Sequence, residues 1–196
     1  NVWATYRDLA NTIADDRIRH AALDVTAFAQ FDALRAQVGA EPIDLLVSNA
    51  GIGLDVGTLG ELNFDYVQRM LSVNLVGALK LVETFVDNVA ASQLRRIVLV
   101  TSRMGSIESN LSGGHYGYRA SKAGLNAVGR SLAIDLYPRG VAVTMIHPGW
   151  VSTQGGGPQA PMDADQSVAS MRDVVARMGN HETGSFVSYD GRSLPW

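Results

Sequence analysis

Apolar and polar positions along this chain switch repeatedly between a strand-like and a helix-like period. Residues 2–6 are β-branched and aromatic, and residues 19–25 (RHAALDV) form a second short apolar run. From 27 to 38 the spacing turns helical, with Phe28, Phe31, Leu34 and Val38 on one face. Residues 43–47 read as a buried strand stopped by Ser48-Asn49-Ala50-Gly51. A long helix is predicted over 64–90, a strand over 97–101 and a helix over 117–136. A strand over 141–146 ends at Pro148-Gly149, and a helix over 164–178 and a short strand over 185–189 follow. Near-continuous apolar strands separated by helices predict one α/β domain with a doubly wound parallel sheet, covered on both faces. Only 152–161 (STQGGGPQAP) has the glycine and proline content of a loose loop, a candidate lid.

Composition narrows the classes of function. A chain of 196 residues with 46% hydrophobic and 18% charged positions is an ordinary globular balance. Its longest apolar runs are strand-sized, and its first residues lack the basic-then-apolar layout of a secretory signal. The absence of cysteine excludes disulfides and thiolate metal sites and fits a cytoplasmic location. A net charge of −3 with scattered signs argues against a nucleic-acid surface. The histidines His20, His115, His147 and His181 lack metal-ligand spacing.

Ligands of such sheets bind at the carboxyl ends of the strands, and the chemically informative residues follow strands. Tyr118 and Lys122 lie four apart in a predicted helix, so both project from one face. A phenol with a pKa near 10 is a poor acid–base group, and a neighbouring ammonium favours its ionised form. Ser102 ends the strand over 97–101, with Ser106 a competitor further into the loop. Asn74 falls inside the apolar stripe Val67, Leu71, Ala78, which fits either a site residue or a core amide bonded to nearby backbone. Asn49-Ala50-Gly51 would let backbone approach a flat ligand closely. Asp24 is a candidate acceptor for an adenine amino group or a helix cap. Pro148-Gly149 would make a rigid turn at the ligand-binding end of the sheet, with Thr153 just beyond it.

Together these residues resemble the short-chain dehydrogenase/reductase family. The matching stretches are LDVT at 23–26, NAG at 49–51, SVNLVG at 72–77, IVLVTS at 97–102, YRASK at 118–122 and HPGWVST at 147–153. The stretches SRMGSI at 102–107 and YDGRSLPW at 189–196 are similar to the branch of C-factor signalling proteins and sniffer-type carbonyl reductases. The resemblance implies a Rossmann-type fold and a catalytic tetrad of Asn74, Ser102, Tyr118 and Lys122. It implies cofactor contacts from Asp24, Val25, Asn49, Ala50, Gly51, Tyr118 and Lys122, and from Pro148, Gly149, Val151 and Thr153. In that scheme Tyr118 exchanges the proton, Ser102 bonds the substrate oxygen, Lys122 tunes Tyr118 and binds ribose, and Asn74 orders a water.

Two departures stand out. Ser102 precedes Tyr118 by sixteen positions (118 − 102), more than is common in the family, and 108–115 absorbs the difference. The family's glycine-rich segment, which holds pyrophosphate at a helix N-terminus, is not in this sequence. The expectation is a preceding β-α unit of roughly 30 residues, whose strand would lie between residues 2–6 and 43–47. Direct pairing of those two stretches would contradict it. Arg7, after the first strand, favours NADP through its 2′-phosphate, whereas Asp8 next door leaves NAD as the alternative.

The expected activity is hydride exchange between NADP(H) or NAD(H) and a carbonyl or secondary alcohol, in a pocket walled by Met104, Trp150 and Met162. The alternative is a nucleotide-binding signalling or scaffold protein without turnover. The family resemblance also implies a homodimer or homotetramer through the helices at 64–90 and 117–136.

Overall fold

The computed structural model describes residues 1–53, 57–153, 155–179 and 182–196. His181 and, in the glycine-rich loop, Gln154 lie outside the described residues. Among the described residues, six parallel strands and five α-helices follow the order of strand and helix stretches in the pattern of apolar positions. They are β1 (Val2–Tyr6), β2 (Ile18–Ala22), α1 (Ala29–Val38), β3 (Leu45–Ser48), α2 (Phe64–Leu71) and α3 (Gly77–Ala90). Then come β4 (Arg96–Val100), α4 (Tyr116–Leu136), β5 (Ala142–His147), α5 (Ala164–Arg177) and β6 (Ser185–Ser188).

Local bonds explain where the boundaries differ from the pattern. Ile43 donates its N–H to Asn88 O instead of a ladder, so β3 starts at Leu45. β2 stops at Ala22 because Asp24 turns the chain, its carboxylate accepting from Thr26 N at 2.9 Å and Thr26 Oγ1 at 2.7 Å. α1 starts only after that turn, so Asp24 caps the turn and not the helix. The helix expected over 64–90 is continuous but contains a π stretch, Ser72–Val76, between α2 and α3. Asp163 and Gln166 close a reciprocal capping box at the start of α5.

The strands form two sheets, β1-β2 and β3-β4-β5-β6. Among the described residues β1 and β3 do not pair. One core nevertheless spans both sheets: Ala21 and Leu23 join Phe31, Val82, Phe85, Leu99, Leu125 and Met145 on the face covered by α1, α3 and α4. The opposite face of β4 to β6 packs Val98, Ile146 and Val187 against Val174 of α5. Both faces of β4 are thus apolar, the signature of a buried parallel sheet. Leu45 and Val47 continue the α5-side face over β3, where they are 41% and 45% exposed. Among the described residues no helix is long and apolar enough to cross a membrane.

Candidate active site

The carboxyl ends of β3, β4 and β5 open on one side, and Asn74, Ser102, Tyr118 and Lys122 gather there. Ser102 leaves β4 in extended conformation (φ −150°, ψ 147°) and is 7% exposed. Its Oγ accepts from Met104 N at 3.1 Å, which caps the short turn Arg103–Gly105 and fixes the hydroxyl's direction. Ser102 is hydrogen-bonded to the Tyr118 hydroxyl. Ser106 faces elsewhere, donating to Trp196 O at 3.2 Å and accepting from Ser109 N at 3.0 Å. Of the two competing serines, Ser102 is the one that meets Tyr118.

Tyr118 and Lys122 share one face of α4, with Lys122 Nζ 5.9 Å from the centre of the Tyr118 ring. Lys122 is 5% exposed, donates to Val100 O at 3.0 Å, and is lowered by burial to about 8. Burial pushes the Tyr118 phenol above its ordinary value, and the bond from Ser102 opposes that rise. The phenol is therefore held protonated, where the spacing alone suggested a depressed one. The reason is that desolvation of the phenolate outweighs the neighbouring hydroxyl.

Asn74 sits in the π stretch and is 1% exposed. Such bulges commonly mark functional sites, because the extra residue re-aims a side chain. Asn74 Oδ1 accepts from Ile52 N at 2.8 Å, and Nδ2 donates to Ile52 O at 3.2 Å and Ser121 Oγ at 3.0 Å. Ser121 in turn donates to Tyr118 O at 2.8 Å. Both amide hydrogens are spent, so the side chain ties the turn after β3 to α4 and is not a free donor.

Gly51, in the turn after β3, lies beside Asn74 and Lys122. A Cβ there would stand 3.4 Å from Asn74 Oδ1 and 3.6 Å from Lys122 Nζ. Asn49 and Ala50 precede it at the end of β3, all three exposed. Pro148 and Gly149 follow β5, and Ser167 of α5 holds Pro148 O at 2.7 Å. Gly149 has φ +88° and lies against Tyr189 and Met162. Val151 and Met162 bridge the base of the loop. Thr153 is turned into that loop, its hydroxyl contacting Val151 O and accepting from Gly156 N at 3.2 Å. The expected pocket walls differ in placement: Met104 and Met162 are half-buried, while Trp150 is 56% exposed with its indole N–H bonded to Gly156 O at 2.7 Å.

At the other end of the crevice, Asp24 and Val25 lie on the turn after β2. Gly77 of α3 presses against that turn, where a Cβ would meet Val25 O at 2.9 Å. Arg7 is exposed just beyond β1 and lowers the Asp24 carboxyl electrostatically, after the larger effect of the Thr26 bonds. Asp8 accepts from Ala10 N at 3.0 Å and caps a short turn. Sequence reasoning missed Ser121, Ser167 and Gly77. The only available signal was a small or hydroxyl residue inside a helix face that packs inward.

Comparison with known proteins agrees with this geometry. The short chain dehydrogenase family model matches residues 3–164, and the chain belongs to that family of oxidoreductases. C-signal of Myxococcus xanthus is 39% identical over 155 residues, covering 79% of this chain and 93% of that protein. The carbonyl reductase Sniffer of D. melanogaster superposes with a TM-score of 0.88 at 29% identity, over 99% of this chain and 86% of that one. A Burkholderia multivorans short-chain dehydrogenase/reductase with bound NADP gives 0.81 at 33% identity, over 92% and 78%.

Proposed function

We propose that this chain reduces a carbonyl compound to the alcohol with NADPH, and runs the reverse with NADP, using Tyr118 as general acid–base. The observation that carries the reading is the Ser102–Tyr118 hydrogen bond, set beside the Lys122 ammonium where strand ends converge. NADPH, when bound, supplies the hydride that the carbonyl carbon accepts. The space at Gly51, which a Cβ would fill, fits the approach of a flat ring system to the Asn49-Ala50-Gly51 turn. Lys122 would hold the ribose, and Pro148, Gly149, Val151 and Thr153 would flank the nicotinamide. Asp24 and Val25 would border the adenine.

Arg7 would take the 2′-phosphate. Asp8, the group that would favour NAD, is engaged as a turn cap, and the NADP found in the Burkholderia relative supports the same choice. Ser102 then orients the substrate oxygen, and Tyr118 gives that oxygen its proton. The resulting phenolate is stabilised by Ser102 and by the Lys122 ammonium, which is largely charged at neutral pH. Asn74 acts by holding the Ile52 turn and Ser121 against α4. A phenol held protonated suits reduction, which consumes that proton. The two long helix stretches would also pair copies of the chain, with Leu79 and Ile134 40% and 61% exposed on them.

The second reading, a nucleotide-binding signalling role without turnover, is favoured by the similarity to C-signal. A panel of aldehydes, ketones and secondary alcohols with NADPH, NADH and their oxidised forms separates the two. Turnover with NADPH and at least one carbonyl is expected. Cofactor binding with no turnover across the panel supports the signalling role instead.

A further inference from the structure

Two buried polar side chains beside the site have no part in the chemistry above. Thr101, the residue before Ser102, is 2% exposed, and Asn126, one turn beyond Lys122 on α4, is 3% exposed. Thr101 Oγ1 donates to Asn126 Oδ1 at 2.7 Å, and Lys122 O lies 3.4 Å from the same hydroxyl. On its other side Asn126 Nδ2 is buried with no hydrogen-bond partner among the described residues. That nitrogen lies against Gly105, where a Cβ would stand 3.0 Å from it and 2.9 Å from Lys122 O. Gly105 closes the turn that Ser102 caps.

An orphaned buried amide donor is a cost to the fold, so stability alone does not account for an asparagine at this position. What the amide provides is geometry. It meets the residue before Ser102 through a hydrogen bond and the turn after Ser102 through close packing. Both contacts originate on the helix that carries Tyr118 and Lys122.

We propose that Asn126, acting through Thr101 and Gly105, is a positioning residue that fixes where Ser102 stands relative to Tyr118. The proposal rests on the reading of Ser102 and Tyr118 as the proton-handling pair. With both flanks of Ser102 tied to α4, the bond between the two hydroxyls keeps a single geometry. Released from α4, Ser102 would sample a wider range, and its effect on the phenol would fade. Among the described groups that face the phenol are Ser102 from the end of β4 and Lys122 from its own helix.

Asn126→Leu and Thr101→Val remove the hydrogen bond from opposite sides, while Thr101→Ser keeps the hydroxyl. The first readout needs no turnover. Ultraviolet titration of each protein against the same protein carrying Tyr118→Phe isolates the Tyr118 phenol. Losing the Ser102 bond should raise the titration midpoint by about half a pH unit or more in Asn126→Leu and Thr101→Val. The same two variants should lose roughly ten-fold in kcat with KM for NADPH nearly unchanged. The double variant should be no worse than either single one, because both break one joint. Thr101→Ser should titrate like the parent. A Tyr118 midpoint that stays in place in both variants, with only Tm lowered, overturns the proposal. Should Asn126→Leu fail to fold, Thr101→Val decides alone. A parent chain without turnover would sink the proposed reaction, while the phenol titration would still judge Asn126.

Discussion

Lys122 shows what a site residue costs the fold that carries it. Burial lowers it from 10.5 to about 8, which corresponds to a penalty on the order of 3 kcal/mol at neutral pH. The sign follows from proton counting. Between about pH 8 and 10.5 the unfolded lysine holds a proton that the folded one has released, so stability should rise with pH across that window. Lys122→Met should therefore raise unfolding stability by about 1–3 kcal/mol while abolishing turnover, as equilibrium denaturation and an activity assay would show. A destabilised variant would mean that the bond to Val100 O outweighs the burial. Arg7 makes a different prediction. Arg7→Ala should raise KM for NADPH on the order of ten-fold and leave NADH unaffected, since only the 2′-phosphate distinguishes the two. Equal losses for both cofactors would remove Arg7 from that role. Tyr118, Lys122, Asn74 and Ser102 were all legible as residue types at telling positions. The raised phenol was not, because spacing reports neighbours and says nothing of desolvation.

At the scale of elements, the helices and strands were legible wherever apolar period and length agreed, and least so where a polar tie decides the geometry. The stripe through Val67, Leu71, Asn74 and Ala78 runs on as if the helix were regular, so the π stretch at Ser72–Val76 left no mark in the pattern. Ile43 looks like strand but gives its N–H to Asn88 O. Ser121 and Ser167 read as ordinary helix serines until the fold points them at Tyr118 O and Pro148 O. Gly77 is the element-scale counterpart of Gly51. It lets α3 approach the Asp24-Val25 turn, and a Cβ there would collide with the Val25 side chain at 2.8 Å and its carbonyl at 2.9 Å. Gly77→Ala should cost about 1–3 kcal/mol in stability and raise KM for NADPH more than it lowers kcat, if the displaced turn borders the adenine as proposed. Unchanged cofactor KM would separate that turn from cofactor binding.

For the whole molecule, sequence order predicted a parallel α/β sheet covered on both faces, and the fold has that form. Among the described residues the strands divide into β1-β2 and β3 to β6, and one apolar core spans both sheets. Self-association is set by exposed side chains, and Ile134→Glu should lower the solution mass measured by light scattering if α4 pairs with another copy. A mass unchanged from the parent would exclude that face.

The proposed chemistry itself turns on one phenol. NADPH consumption with an accepted carbonyl substrate, measured beside NADPH binding for the parent chain and Tyr118→Phe, tests it most directly. The account predicts a loss of turnover of roughly a thousand-fold or more in the variant with binding nearly intact, as expected when a general acid is removed and the cofactor contacts stay. A Tyr118→Phe chain that still consumes NADPH at the parent rate would contradict it.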